Sequence, residues 1–185
     1  MHTHTAATLS VVVASPLGAL ALSATDEGIV AVHFVDDRAP TPLVDDGSPR
    51  ASHLARLSEQ LARYFARTLT RFDVPLAPVG TEFERRVWKA LVEIPHGQTR
   101  SYLDVARTVG GPNHTRAVGG ANGKNPIAIV VPCHRVIASD GGLGGYAGGL
   151  ERKRALLAIE APSTLTLDAS STTNAPRGAA LALRA

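Results

Sequence analysis

The chain has 185 residues, 44% hydrophobic and 19% charged, with a net charge of +3, enough apolar material for one or two domains with real cores and too much for a disordered chain. A single cysteine excludes an intrachain disulfide, and no Cys/His group has zinc-site spacing, so the reading is a reducing cytoplasm and no bound metal. The N-terminus lacks a basic n-region, and Val11, Val12 and Val13 make too short a run for a signal core or a membrane span, so neither export nor a membrane is expected.

Residues 10–36 alternate short apolar runs with turns at Ser15-Pro16-Leu17-Gly18 and Asp26-Glu27-Gly28, the pattern of a three-stranded antiparallel meander. Residues 36–50 are rich in Asp, Pro and Gly and read as a loop. Leu54, Leu57, Leu61, Tyr64 and Phe65 then recur at helical spacing, predicting an amphipathic helix that covers one sheet face. Residues 72–79 are spaced by prolines and read as an extended linker.

Thr81 and Glu84 form a capping-box pattern ahead of a helix whose apolar stripe is Phe83, Val87, Leu91 and Ile94, with Pro95 and Gly97 ending it. Ser101 and Asp104 open a second, short helix that ends near Gly110-Gly111-Pro112, and a third is expected over about 113–121. A helix, a glycine-bearing turn and a second helix are compatible with a helix-turn-helix or with two core helices. The apolar run 127–131 reads as a buried strand that delivers Cys133 to its end, where Pro132 forces a turn. Residues 141–149 hold six glycines and fit a close-approach loop or wing. A last helix over 151–160 is expected to bury Leu156, Leu157 and Ile159, and 162–185 read as a flexible tail. The expected fold class is thus α/β (α+β): a small N-terminal antiparallel sheet with a covering helix and linker (1–78), then a helical, winged helix-turn-helix-like domain (79–161), then the tail. Residues 81–161 carry 11 Lys/Arg against 7 Asp/Glu, whereas residues 1–80 carry 6 against 8, so a polyanion would meet the second segment.

A lone cysteine is ordinarily an inert buried hydrophobe. As a nucleophile, Cys133 would need its proton removed. His134 is the nearest base, although neighbours in an extended chain face opposite ways; the two cooperate only if the backbone turns at Cys133 or a water bridges them. Glu160 is the candidate for fixing the histidine tautomer. Asn122 and Asn125 bracket a polar turn before the apolar run and either cap the third helix or satisfy turn amides; Asn125 would do more if buried beside Cys133.

Five separated motifs, in order, resemble the O6-alkylguanine-DNA alkyltransferases: Ser101-Tyr102, Arg116-Ala117-Val118-Gly119-Gly120-Ala121-Asn122, Asn125-Pro126, Val131-Pro132-Cys133-His134-Arg135-Val136-Ile137 and Gly145-Tyr146-Ala147-Gly148-Gly149-Leu150. The resemblance covers 81–161 closely and 8–75 more loosely. It implies direct, cofactor-free repair, in which O6-alkylguanine, and O4-alkylthymine as a second substrate, is flipped from duplex DNA and its alkyl group passes irreversibly to Cys133. It further implies that Glu160 orients His134, that His134 activates Cys133 through water, that Asn125 braces the turn and that Tyr102 assists the departing guanine. Arg116, Tyr102, Asn122 and Arg135 would face DNA, with Arg116 filling the vacated stack from a recognition helix in the minor groove. Val136, Tyr146, Ala147 and Gly148 would line the base pocket. A monomer is expected in solution, with cooperative assembly on DNA left open. Ala128 and Ala147 stand where some members carry proline and serine, which implies a roomier pocket. The rivals are a lesion sensor without chemistry, a cysteine hydrolase and a purely structural winged-helix regulator; Cys133 argues against the first and third, and the second would need an oxyanion hole.

Overall fold

A computed structural model describes residues 7–36 and 38–162; beyond Pro162 the expected tail lies outside the described residues. Strands β1 (Leu9–Val13), β2 (Ala19–Thr25) and β3 (Gly28–Val35) form an antiparallel meander in the order β1-β2-β3. Strand alternation sends Leu20, Leu22 and Ala24 of β2 to one buried face. Helix α1 (Pro49–Phe65) lies against that sheet. Ser48 caps it by accepting from the Ala51 amide, and Leu54, Leu57, Leu61 and Tyr64 form its buried stripe. Each of the three leucines contributes about 1.5–3 kcal/mol by leaving water.

The segment expected as a linker is extended but not free. The Ile29 amide donates to the Pro75 carbonyl and the Ala77 amide to the Ile29 carbonyl, while the Gln60 side chain exchanges two hydrogen bonds with the Asp73 backbone. The unpaired edge of β3 thereby finds partners.

Helix α2 (Glu82–Val92) begins with a reciprocal capping box between Thr81 and Glu84. Strand β4 (Arg100–Ser101) leads into α3 (Tyr102–Val109), which carries a second capping box between Ser101 and Asp104. A 3-10 turn (Pro112–His114) joins α3 to α4 (Thr115–Gly123). The fourth helix therefore starts later and runs further than the sequence suggests, placing Asn122 inside its last turn. The Trp88 indole donates to the Ala121 carbonyl at 2.8 Å, and Lys124 pairs with Glu84 at 2.8 Å, so α2 clamps the C-terminal end of α4.

The apolar run 127–131 is not a strand. Only Ile127 bridges to Val32; beyond it the chain folds into a compact turn in which the Val131 amide donates to the Ile127 carbonyl and Ile129 adopts φ +71°. Positive φ at a β-branched residue is strained and persists only when its surroundings dictate it. Here Asn125 dictates it, bonding both ends of the turn, and Ile129 is fully buried. An unbroken apolar run signals burial on all sides, and an enclosed turn satisfies that as well as a strand does.

After a 3-10 turn (Cys133–Arg135), the short strand β5 (Val136–Ile137) pairs in parallel with β4, Arg100 opposite Val136 and Ser101 opposite Ile137. This pairing brings the start of α3 beside the cysteine turn. Helix α5 (Leu150–Glu160) closes the fold. Of its three expected core residues only Leu156 is fully buried; the positions one turn away on the same face hold Lys153 and Glu160, with Leu157 and Ile159 partly covered. Among the described residues no helix is long and apolar enough to cross a membrane, and no group of three His, Cys, Asp or Glu side chains is placed to hold a metal.

Candidate active site

Cys133 opens the 3-10 turn and is 5% exposed. The turn supplies the bend that lets neighbouring residues work together. Behind it, the Asn125 amide donates to the Val131 carbonyl at 2.8 Å while its oxygen accepts from the Ile127 amide at 3.0 Å. Burial pushes the Cys133 thiol above its ordinary range; the Asn125 side chain, the Lys153 charge and the backbone amides of Cys133 and His134 pull the other way without overcoming it. The resting sulfur is therefore a thiol, and a base has to deprotonate it.

His134 is fully buried, and its Nε2 lies 2.8 Å from Glu160 Oε1. Burial lowers its basicity against the opposing pull of Glu160, so the imidazole is neutral at rest. Burial alone would raise the Glu160 pKa, yet donors from His134 and Arg135 hold it well below the usual carboxylate range. An ionised carboxylate only accepts, so Nε2 carries the imidazole proton and Nδ1 is left as an acceptor. Nδ1 is buried and has no hydrogen-bond partner among the described residues. A buried, uncommitted nitrogen lone pair on the residue next to the cysteine is what a general base requires.

Two residues at this knot depart from expectation or were not foreseen. Arg135, expected to face DNA, is 6% exposed and turned inward: its Nε donates to Glu160 Oε2 at 2.7 Å, its Nη2 to Oε1 at 2.9 Å and its Nη1 to the Ile94 carbonyl. Its two-point fork matches a carboxylate, and once buried it needs that counter-charge. Tyr64, read from its spacing as a core residue of α1, also donates to Glu160 Oε1, at 2.8 Å. Gly97 sits so close that a Cβ there would lie 2.8 Å from the Glu160 carbonyl oxygen, and its φ of +75° favours glycine. A cavity of about 580 Å³ approaches Arg135 between 70–76 and the end of α2, but Cys133 does not line it.

Two of the residues expected to hold the base, Tyr102 and Tyr146, lie close enough to Cys133 to feel its charge. Tyr102 is the first residue of α3 and half-buried; burial and the nearby Cys133 raise its pKa. Val136 is fully buried, Tyr146 and Gly148 are partly covered and Ala147 is exposed. The Tyr146 hydroxyl is buried without a hydrogen-bond partner among the described residues. The glycine-rich loop packs on Tyr102 at Gly144, where a Cβ would lie 2.9 Å from the phenol oxygen. Lys153 was not singled out by its spacing. It is 0% exposed and donates to the carbonyls of Val136 (2.6 Å), Gly145 (3.3 Å) and Leu143. It thus ties the loop to β5, and burial lowers its pKa against the pull of Cys133.

Arg116 is exposed, in the first turn of α4. Asn122, also expected at the DNA surface, is 4% exposed and donates instead to the Cys133 carbonyl at 3.4 Å. Its place on the inner face of α4, rather than the outer, decides this. The structure therefore brings Cys133, His134, Glu160, Asn125, Asn122 and Arg135 into one buried group, and leaves Tyr102, Tyr146 and Arg116 on the outward side.

Two family models match the chain: "6-O-methylguanine DNA methyltransferase, ribonuclease-like domain" over residues 9–78, and "6-O-methylguanine DNA methyltransferase, DNA binding domain" over residues 82–162. A methylated-DNA--protein-cysteine methyltransferase of Mycolicibacterium paratuberculosis is 51% identical over 157 residues, covering 83% of this chain and 94% of that one. The protein of the same name from Methanosarcina acetivorans is 47% identical over 146 residues, covering 79% and 94%. A crystal structure of Mycobacterium tuberculosis OGT in complex with DNA superposes with a TM-score of 0.71 at 46% identity, covering 82% of this chain and 94% of that one. Both domains, their order and nearly the full length of these relatives are matched, and the chain belongs to the 6-O-methylguanine DNA methyltransferase family.

Proposed function

We propose that this protein repairs DNA by moving the alkyl group of O6-alkylguanine in a duplex onto the sulfur of Cys133, once per molecule. The observation that carries the reading is the fully buried His134, with Nε2 on an ionised Glu160 and a free Nδ1, next in the chain to the only cysteine. His134 takes the thiol proton, directly or through one water, and the thiolate attacks the alkyl carbon from behind. The S–C bond forms as the C–O6 bond breaks, and its electron pair leaves on the guanine, which is then protonated. The Tyr102 hydroxyl stabilises the departing base. The product is a thioether whose carbon water attacks poorly, so the reaction ends with the protein alkylated.

The alkylated O6 lies inside the duplex and Cys133 inside the protein, so the base has to leave its stack, at a cost of a few kcal/mol that a damaged pair reduces. Arg116 on the outer face of α4 fills the gap as that helix enters the minor groove. The Tyr146 hydroxyl, with Val136, Ala147 and Gly148, receives the flipped base. O4-alkylthymine presents a similar alkyl oxygen and is a second substrate. Residues 1–78 and 79–161 act as two domains of a cytoplasmic monomer that uses no cofactor; the M. tuberculosis relative bound to DNA supports the choice of partner.

Intact-mass spectrometry after mixing with excess duplex bearing one O6-methylguanine tests the reading. One methyl group gained on Cys133, saturating at one per molecule and absent in Cys133→Ser, is the expected result; lesion binding without mass gain overturns it in favour of a damage sensor.

A further inference from the structure

We infer that Tyr64 is a positioning residue for alkyl transfer, reaching from the N-terminal domain to hold the Glu160 oxygen that His134 uses. The inference rests on the reading that Glu160 orients His134 and His134 activates Cys133. Tyr64 lies 96 positions from Glu160 in the sequence, is 1% exposed, and places its hydroxyl 2.8 Å from Oε1. It is held there from three sides. Phe65 and Phe72 pack against its ring at 5.3 and 5.5 Å, and His96 meets it edge-on at 6.2 Å. One turn beyond, Arg67 donates to the Ala158 carbonyl at 3.0 Å, docking the end of α1 on the end of α5.

Five donors converge on the carboxylate. Oε1 accepts from Tyr64, His134 and Arg135, and Oε2 from Arg135 Nε and, at 3.3 Å, the Gly97 amide. The Arg135 fork fixes the carboxylate plane. Tyr64 adds the one neutral donor that shares an oxygen with His134. Such a donor draws charge away from Oε1 and moderates the pull of the carboxylate on a protonated imidazole. The other groups facing this site are Arg135 and Cys133 on the same turn, His96 on the loop after α2, Lys153 on α5, whose charge opposes protonation of His134, and Tyr146 on the wing. Without the Tyr64 hydroxyl, Oε1 holds the imidazolium more strongly and is itself less firmly placed.

The test is the maximal single-turnover rate on an O6-methylguanine duplex at saturating protein, measured against pH for the full chain, with the folded state of each variant checked by thermal melting. In Tyr64→Phe the plateau should fall about threefold, and the acid limb should move up by about half a pH unit, a threefold change in proton affinity. Arg67→Ala, which loosens the same interface without touching the carboxylate, should leave the limb in place. His134→Gln should lose about 100-fold in rate; if it does not, the underlying relay is wrong and the proposal falls with it. If His134→Gln is slow while Tyr64→Phe keeps the wild-type limb, or Arg67→Ala moves it equally, the relay stands and only the role of Tyr64 is overturned.

Discussion

The two sides of Cys133 are built on opposite principles. Behind it, Glu160 is saturated by five donors from three parts of the chain, and every side chain among them is buried. In front, the glycine-rich loop is largely exposed, and its Tyr146 hydroxyl is buried with no hydrogen-bond partner among the described residues. The rear supplies charge and tautomer in advance, which is where electrostatic preorganisation acts most strongly. The front leaves its hydrogen bonds to be completed by a base. Changes at the rear should therefore cost both stability and rate, whereas changes at the front should cost rate with little loss of stability.

The largest effect should follow Glu160→Gln. It leaves the Arg135 guanidinium buried without a counter-charge, a change of about 3–5 kcal/mol, and denaturant unfolding would measure it. The same carboxylate governs acid stability. Both His134 and Glu160 have pKa values lowered by folding, from ordinary values of 6.5 and 4.5. The unfolded chain thus binds protons first, and stability is lost as pH falls, beginning below about 6.5 through His134 and steepening below about 4.5 through Glu160. In Glu160→Gln the second, steeper loss should flatten; an unchanged acid profile would place the sensitivity elsewhere.

Lys153→Met sits between the two sides. It should cost about 1–3 kcal/mol, because three carbonyls lose a charged donor while a desolvated charge is relieved. Hydrogen exchange should quicken over 141–149 and stay slow in α1. Equal quickening in both would mean that Lys153 supports the whole fold and not the loop.

The legibility of the chain divides along the same line. Both capping boxes, the meander and the α1 stripe rest on neighbours within four residues, and the sequence predicts them. The knot behind Cys133 does not have that character. Tyr64 carries an apolar ring that fits a core stripe, and nothing local reveals that its hydroxyl meets a residue 96 positions on. Arg135 lies in a motif associated with DNA, and a positive charge reads as a surface group until its partner is known. Lys153 had one available signal, its place one turn from Leu156 and two from Glu160 on the inner face of α5, which ordinary helical periodicity assigns to an apolar residue. The run 127–131 was legible as buried but not as a turn, since Asn125 alone decides that.

Arg116→Ala tests the front without touching the rear. Stability should be unchanged within about 0.5 kcal/mol, as for other exposed positions. The rate on a lesion-bearing duplex should fall by about tenfold if stack filling offsets one to two kcal/mol of extrusion, while the rate with free O6-benzylguanine should not change. Equal loss on both substrates would show that Arg116 influences the thiol and not the duplex.

The smallest effect is expected at Ala147, exposed on the loop before Gly148. Ala147→Ser adds one hydroxyl to the rim, and at an exposed position it should leave stability within about 0.5 kcal/mol of wild type. If the pocket is as roomy as two alanines at 128 and 147 suggest, the wild-type protein accepts a benzyl adduct about as readily as a methyl one. The serine variant should then favour methyl by about threefold, because its hydroxyl offers the guanine oxygen a hydrogen bond while narrowing the space beside the alkyl group. A wild type that excludes benzyl would instead place the limit in the fixed wall set by the buried Val136 of β5. Size selection would then belong to the rigid half of the site, and the loop would serve only to close over what that wall admits.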